Sequence, residues 1–221
     1  MPAISLKNRF IFIHIPKTAG TSLALLWKQK GYIAAQEWKN WYLKNDHISA
    51  ARLKSRIDDE DVLSGYRWQD FYKFSIVRNP FDLLISYWQY KRRSPSQIHH
   101  SESMAMDFND FVFYLLENCD DPTANPIRNG QFSWLEDLNQ NLLVDKVIRL
   151  DDLTHDYKNI CKKIGIEFQL PAVLNATAGP FYNHHEYYNS ESRVLVERIF
   201  ETDLNKYEFE FRRQDLVSFV D

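Results

Sequence analysis

Apolar residues along this chain gather in three short runs, each followed by a loop and then by a helical pattern. The first run is Phe10-Ile-Phe-Ile13, aromatic or β-branched throughout, which predicts a strand buried on both faces. Pro16 ends its ladder for want of an N–H, and Leu23 to Lys30 are largely good helix formers stopped by Gly31. The second run, Phe74 to Val77, leads through the turn pair Asn79-Pro80 into a helix predicted from Asp82 to about Arg93. The third, Leu142 to Leu150, precedes a helix predicted over Leu153 to Ile164 and stopped by Gly165. Three strand–loop–helix units point to an α/β chain with a mainly parallel sheet.

Between these units the signals are weaker. Short strands are expected at Tyr32 to Ala35 and Val62 to Tyr66, and a helix at Asp46 to Lys54. Asp58 to Asp61 reads as a solvated acidic turn, and residues 94–107 and 120–130 read as loops. Asp107 to Glu117 is an aromatic-rich helix, and Ser190 caps a last helix to Lys206. Lys91-Arg-Arg93 suits a helix C-terminus, where cations complement the macrodipole.

Length and composition narrow the classes. The 221 residues suffice for one domain with a substantial core, read here as spanning 1–221, with no repeat or low-complexity segment. A net charge of −3 argues against a general nucleic-acid or anionic-membrane binder. No apolar run approaches the ~20 residues of a transmembrane helix, and the one after Lys7 and Arg9 is too short for a signal peptide. Cys119 and Cys161 have no metal or redox spacing, which suits reduced thiols in a cytoplasmic protein. The pair His99-His100 lacks further ligands nearby, and no metal site is expected.

The candidate chemistry lies in the first two loops. Lys17, Thr18, Ala19, Gly20, Thr21 and Ser22 sit between a strand and a helix, where free N–H groups and the macrodipole favour an anion. The order differs from G-x-x-x-x-G-K-[ST], because Lys17 precedes Gly20, so the loop is phosphate-loop-like without being a Walker A. An ordinary βα turn with one exposed lysine is the alternative. Arg78 ends the second strand and Ser86 follows eight residues later; guanidinium and hydroxyl together suit phosphate oxygens. A structural ion pair and helix packing are the alternative there.

His14-Ile-Pro-Lys-Thr-Ala-Gly-Thr-Ser22 resembles the 5′-phosphosulfate loop of the sulfotransferases related to the Golgi carbohydrate enzymes, a group with many bacterial members. Arg78-Asn-Pro followed by Ser86-Tyr-Trp resembles the element that grips the 3′-phosphate of their donor. The resemblance runs from about Phe10 to Phe211 and implies a P-loop-NTPase-like three-layer fold. It implies 3′-phosphoadenosine-5′-phosphosulfate (PAPS) as donor, 3′,5′-adenosine bisphosphate (PAP) as product, and a hydroxyl or amine acceptor on a carbohydrate or small metabolite. Lys17 then faces the leaving phosphate oxygen. The histidine that some animal relatives place before the arginine strand is replaced here by Tyr66, in Ser64-Gly65-Tyr66. His47, in His47-Ile-Ser-Ala50, matches a bacterial form and is the favoured general base, with Tyr66, His184 and His185 as competitors. A P-loop kinase and a non-catalytic nucleotide-binding module are the other readings of the same loop.

Overall fold

The computed structural model describes residues 2–33, 47–119, 127–171 and 182–212, which fall into two compact units. One comprises the described residues of 1–77 and 131–174, the other those of 78–130 and 175–221.

The first unit is built on four strands, β1 (Ala3–Ser5), β2 (Phe10–Ile13), β3 (Tyr72–Val77) and β4 (Lys146–Arg149), in that spatial order. β1 runs antiparallel to β2, with Ala3 opposite Phe12; β2, β3 and β4 are parallel, with Phe12 opposite Phe74 and Ile76 opposite Ile148. All four residues of β2 are buried, as its unbroken apolar run predicts for a strand with neighbours on both edges. Helices α1 (Gly20–Gln29) and α6 (Leu153–Ile164) pack their apolar residues into the same core. Trp27 of α1 is fully buried, edge-on to Phe10, Phe12 and Phe74, and its indole N–H donates to the Tyr157 hydroxyl at 2.8 Å. Each large apolar side chain buried this way contributes about 1.5–3 kcal/mol. α6 ends at Gly165 with φ +68°, and Asn8 donates to the carbonyls of Ile164 and Gly165, which the helix itself leaves unpaired.

α2 runs over Ala50–Asp58, capped by Ser49, so His47 precedes the helix. The Ser49 hydroxyl, not Asp46, sets that start; Asp46, with Ala34 and Ala35, lies outside the described residues. Three other expectations change in this unit. Tyr32 and Ile33 form bends after α1. In place of the strand expected over Val62 to Tyr66, Val62 to Gly65 is a run of turns, with Ser64 and Gly65 at φ +50° and +94°, which no strand accommodates. Asp58 is anchored, accepting from Lys54 and from the Trp68 N–H, both at 2.8 Å.

The second unit is helical: α3 (Pro80–Lys91), α4 (His100–Ala105), α5 (Phe108–Phe113) continuing as a wider π turn over Tyr114–Asn118, α7 (Ser190–Ile199) and α8 (Glu201–Tyr207). Its core holds Phe81, Leu84, Phe111, Leu115, Val196 and Phe200. α3 starts two residues earlier than predicted, because Asn79 caps it at the Phe81 N–H and Pro80 fits the first turn. α4 replaces part of the expected loop; it is tied to α3 by His100 to the Lys91 carbonyl, 2.9 Å, and by Arg92 to the Ser103 carbonyl. The basic cluster closing α3 is therefore structural: Arg92 stacks over Trp88, and Lys91 is buried over the Tyr87 ring, where burial pulls its ammonium pKa down. The expected last helix is broken at Phe200 and capped by Asn189 rather than Ser190. Among the described residues no helix is long and apolar enough to cross a membrane.

Candidate active site

The loop between β2 and α1 is held in an unusual backbone. Lys17 and Ala19 have φ of +66° and +65°, the left-handed region that costs a non-glycine residue roughly 1–2 kcal/mol. Strain of this kind is kept where the surroundings over-determine it, commonly at ligand clamps. Successive left-handed and right-handed residues also turn backbone N–H groups toward one side, as in anion-binding concavities. Thr18 between them is fully buried and its hydroxyl donates to the Ile15 carbonyl at 2.8 Å, so that proton braces the loop. α1 begins with no side-chain cap, and Thr21 and Ser22 on its first turn remain accessible.

Gly20 is fixed by contact rather than by φ. A Cβ there would lie 2.1 Å from Cδ2 and 2.6 Å from Nε2 of His14, whose ring is buried against it. We expect Gly20→Ala to drive that ring out and cost about 1–3 kcal/mol, a fall of several degrees in melting temperature. Adding His14→Ala should recover part of the loss, and an unchanged melting temperature for Gly20→Ala alone would refute the contact.

His47 lies beside this loop. Its ring centroid is 4.9 Å from that of His14 and 6.1 Å from that of Trp134, and its Nδ1 is 3.1 Å from the His14 carbonyl oxygen. A carbonyl can only accept, so Nδ1 carries the hydrogen and Nε2 is the basic nitrogen of the neutral ring. Of the competitors, Tyr66 stands under the Arg9 guanidinium at 4.1 Å, and exposed His185 packs on Phe211 at 4.7 Å. His184 is fully buried, donating from Nε2 to Asp82 at 2.9 Å and accepting the Arg212 N–H at Nδ1 at 3.0 Å. Both its nitrogens are engaged, which fits a bracing role better than proton uptake.

In the second unit, Arg78 follows directly on β3 and is 3% exposed. Burial pushes its guanidinium pKa down; the Asp82 carboxylate and the Tyr182 hydroxyl push it up, and Arg212 again down. Ser86 is the seventh residue of α3, nearly two turns in, and is fully buried. Among the described residues its hydroxyl has no hydrogen-bond partner. A buried hydroxyl without a partner costs about 1–3 kcal/mol, so the atom is explained if a ligand oxygen reaches it. Sequence reasoning noted Asp82 only as a helix-start acid and missed Tyr182 and Arg212, 100 and 130 residues further on, because no local pattern joins them. Asp82 accepts the Tyr182 N–H at 3.1 Å, and its other oxygen accepts from Arg212 at 2.5 Å.

A search among curated proteins returned no match. The fold is similar to that of mouse sulfotransferase SULT7A1, solved in complex with PAP, with a TM-score of 0.53 at 13% identity over 91% of this chain and 86% of that one. The model of the "Sulfotransferase family" matches residues 3–213, nearly the whole sequence and both loops described above. The chain therefore belongs to the sulfotransferase family, as an enzyme that takes a sulfuryl group from PAPS and releases PAP.

Proposed function

We propose that this sulfotransferase acts on a hydroxyl or amine of a carbohydrate or small metabolite, and that its two units make up one sulfotransferase domain. The family match extending through both units supports the second point. In this reading Lys17, Thr18, Ala19, Gly20, Thr21 and Ser22 hold the 5′ end of the donor, and Arg78 and Ser86 hold its 3′-phosphate. The observation that carries the reading is the Ser86 hydroxyl, buried without a partner among the described residues, eight residues after a buried arginine. Work in the cytoplasm is proposed on the strength of two buried thiols, Cys119 and Cys161.

The donor supplies a sulfuryl group whose S–O bond to the 5′-phosphate breaks as the acceptor oxygen or nitrogen attacks sulfur. Charge then builds on the leaving phosphate oxygen, and Lys17 is assigned to it, with the loop N–H groups preorganised around it. His47 takes the acceptor's proton at Nε2, while the His14 carbonyl keeps the other nitrogen protonated. PAP should raise the melting temperature by roughly 5–10 °C at 100 times its Kd, through mass action on the native state. That shift should need no Mg²⁺, and ADP and ATP should give less. A larger shift with Mg-ATP would favour a phosphoryl-transfer enzyme and overturn this reading.

A further inference from the structure

One stripe of α3 carries Asp82, Ser86 and Gln89, spaced i, i+4 and i+7. Tyr182 is fastened to both ends of it. Its N–H donates to Asp82 at 3.1 Å, and its hydroxyl donates to Oε1 of Gln89 at 3.0 Å. Ser86 lies between those two anchors along the helix. The hydroxyl proton goes to Gln89, so the Tyr182 oxygen can only accept from Arg78, whose guanidinium carbon stands 5.7 Å from the ring centroid. The buried tyrosine thus meets the guanidinium through both its ring face and its oxygen. Asp82 is 1% exposed and gathers three donors, from Tyr182, His184 and Arg212. His184, two residues after Tyr182, shares its oxygen Oδ1, so this short segment is pinned twice to one carboxylate.

We infer that Tyr182, stapled by Asp82, His184 and Gln89, is a positioning residue that sets the Arg78 guanidinium for the 3′-phosphate of the donor. The inference rests on the assignment of Arg78 and Ser86 to that phosphate. A free arginine side chain has many rotamers, and fixing its planar fork before binding removes an entropic cost that would otherwise fall on the ligand. The acceptor on Tyr182 fixes the plane, and the charge on Asp82 keeps a buried guanidinium in its ionised form.

The test compares PAP with adenosine 5′-monophosphate by calorimetry on the full chain, because the ratio of the two affinities isolates the 3′-phosphate. Tyr182→Phe keeps the ring and loses the oxygen. It should cut the preference for PAP about tenfold or more, the worth of one hydrogen bond to a charged group, and leave monophosphate affinity unchanged. Gln89→Met, which removes the far anchor of the same hydroxyl, should act in the same direction more weakly. A proportional loss for both nucleotides would mean a general structural role and overturn the inference. So would an unchanged preference in Tyr182→Phe while Arg78→Ala abolishes it. An unchanged preference in Arg78→Ala would instead overturn the assignment of the arginine itself, and this inference with it.

Discussion

Lys17→Ala is expected to lower kcat by roughly 10²–10³-fold, the effect of removing one group that stabilises transition-state charge, with a much smaller change in PAP affinity. The ammonium is needed most when the phosphate oxygen gains charge, and only interactions stronger in the transition state raise kcat. The backbone favours this role, because φ of +66° at Lys17 sets the side chain's direction at a cost in strain that an ordinary surface lysine would not carry. Single-turnover rates and PAP titrations on one preparation separate the two effects. If the alanine variant loses affinity in full and keeps its rate, Lys17 is a ground-state ligand and the assignment fails.

For His47→Ala we expect kcat to fall about 10²–10⁴-fold, the usual worth of a general base, with PAP affinity retained because the ring is assigned to neither phosphate. The wild-type rate should rise with pH across the neutral range, where an imidazole gives up its proton and becomes able to accept one. The sign follows from the role: protonation fills Nε2 and stops uptake of the acceptor's proton. The alanine variant should lose that limb of the profile. Near-normal turnover in His47→Ala, with the loss found instead in a Tyr66 or His185 variant, would move the base to that residue.

The three βα units could be read from the chain because β2 is an unbroken apolar run, β3 and β4 carry β-branched and aromatic residues between polar ones, and two of the helices end at glycines in the left-handed backbone, Gly31 and Gly165. The loop from Lys17 to Ser22 could be read because its residues are contiguous, and Arg78 and Ser86 because they lie only eight residues apart. Val62 to Tyr66 misled because Val62, Leu63 and Tyr66 have strand composition, while the left-handed turn at Ser64 and Gly65 decides the backbone. α4 went unseen because His100–Ala105 is short and mostly polar, and its place depends on the carbonyl of Lys91, on another helix. The setting of Arg78 was invisible for a related reason. Its partners are nearby on α3 and distant at Tyr182, and only the fold makes them neighbours.

The two units are interleaved along the chain, which bears on how the protein is made. The core around Trp27 draws on residues from Ala3 to Ile166, so the first unit stays incomplete until the ribosome has passed its last helix. At about 5–20 residues per second, Phe10 and Phe12 wait on the order of ten seconds for Ile148 and Tyr157 to emerge. During that wait an apolar strand lies uncovered, the kind of segment that chaperones hold and that aggregates when they do not. No single cut in the polypeptide can release either unit whole, so a truncation at residue 130 leaves a half-built core rather than a smaller enzyme.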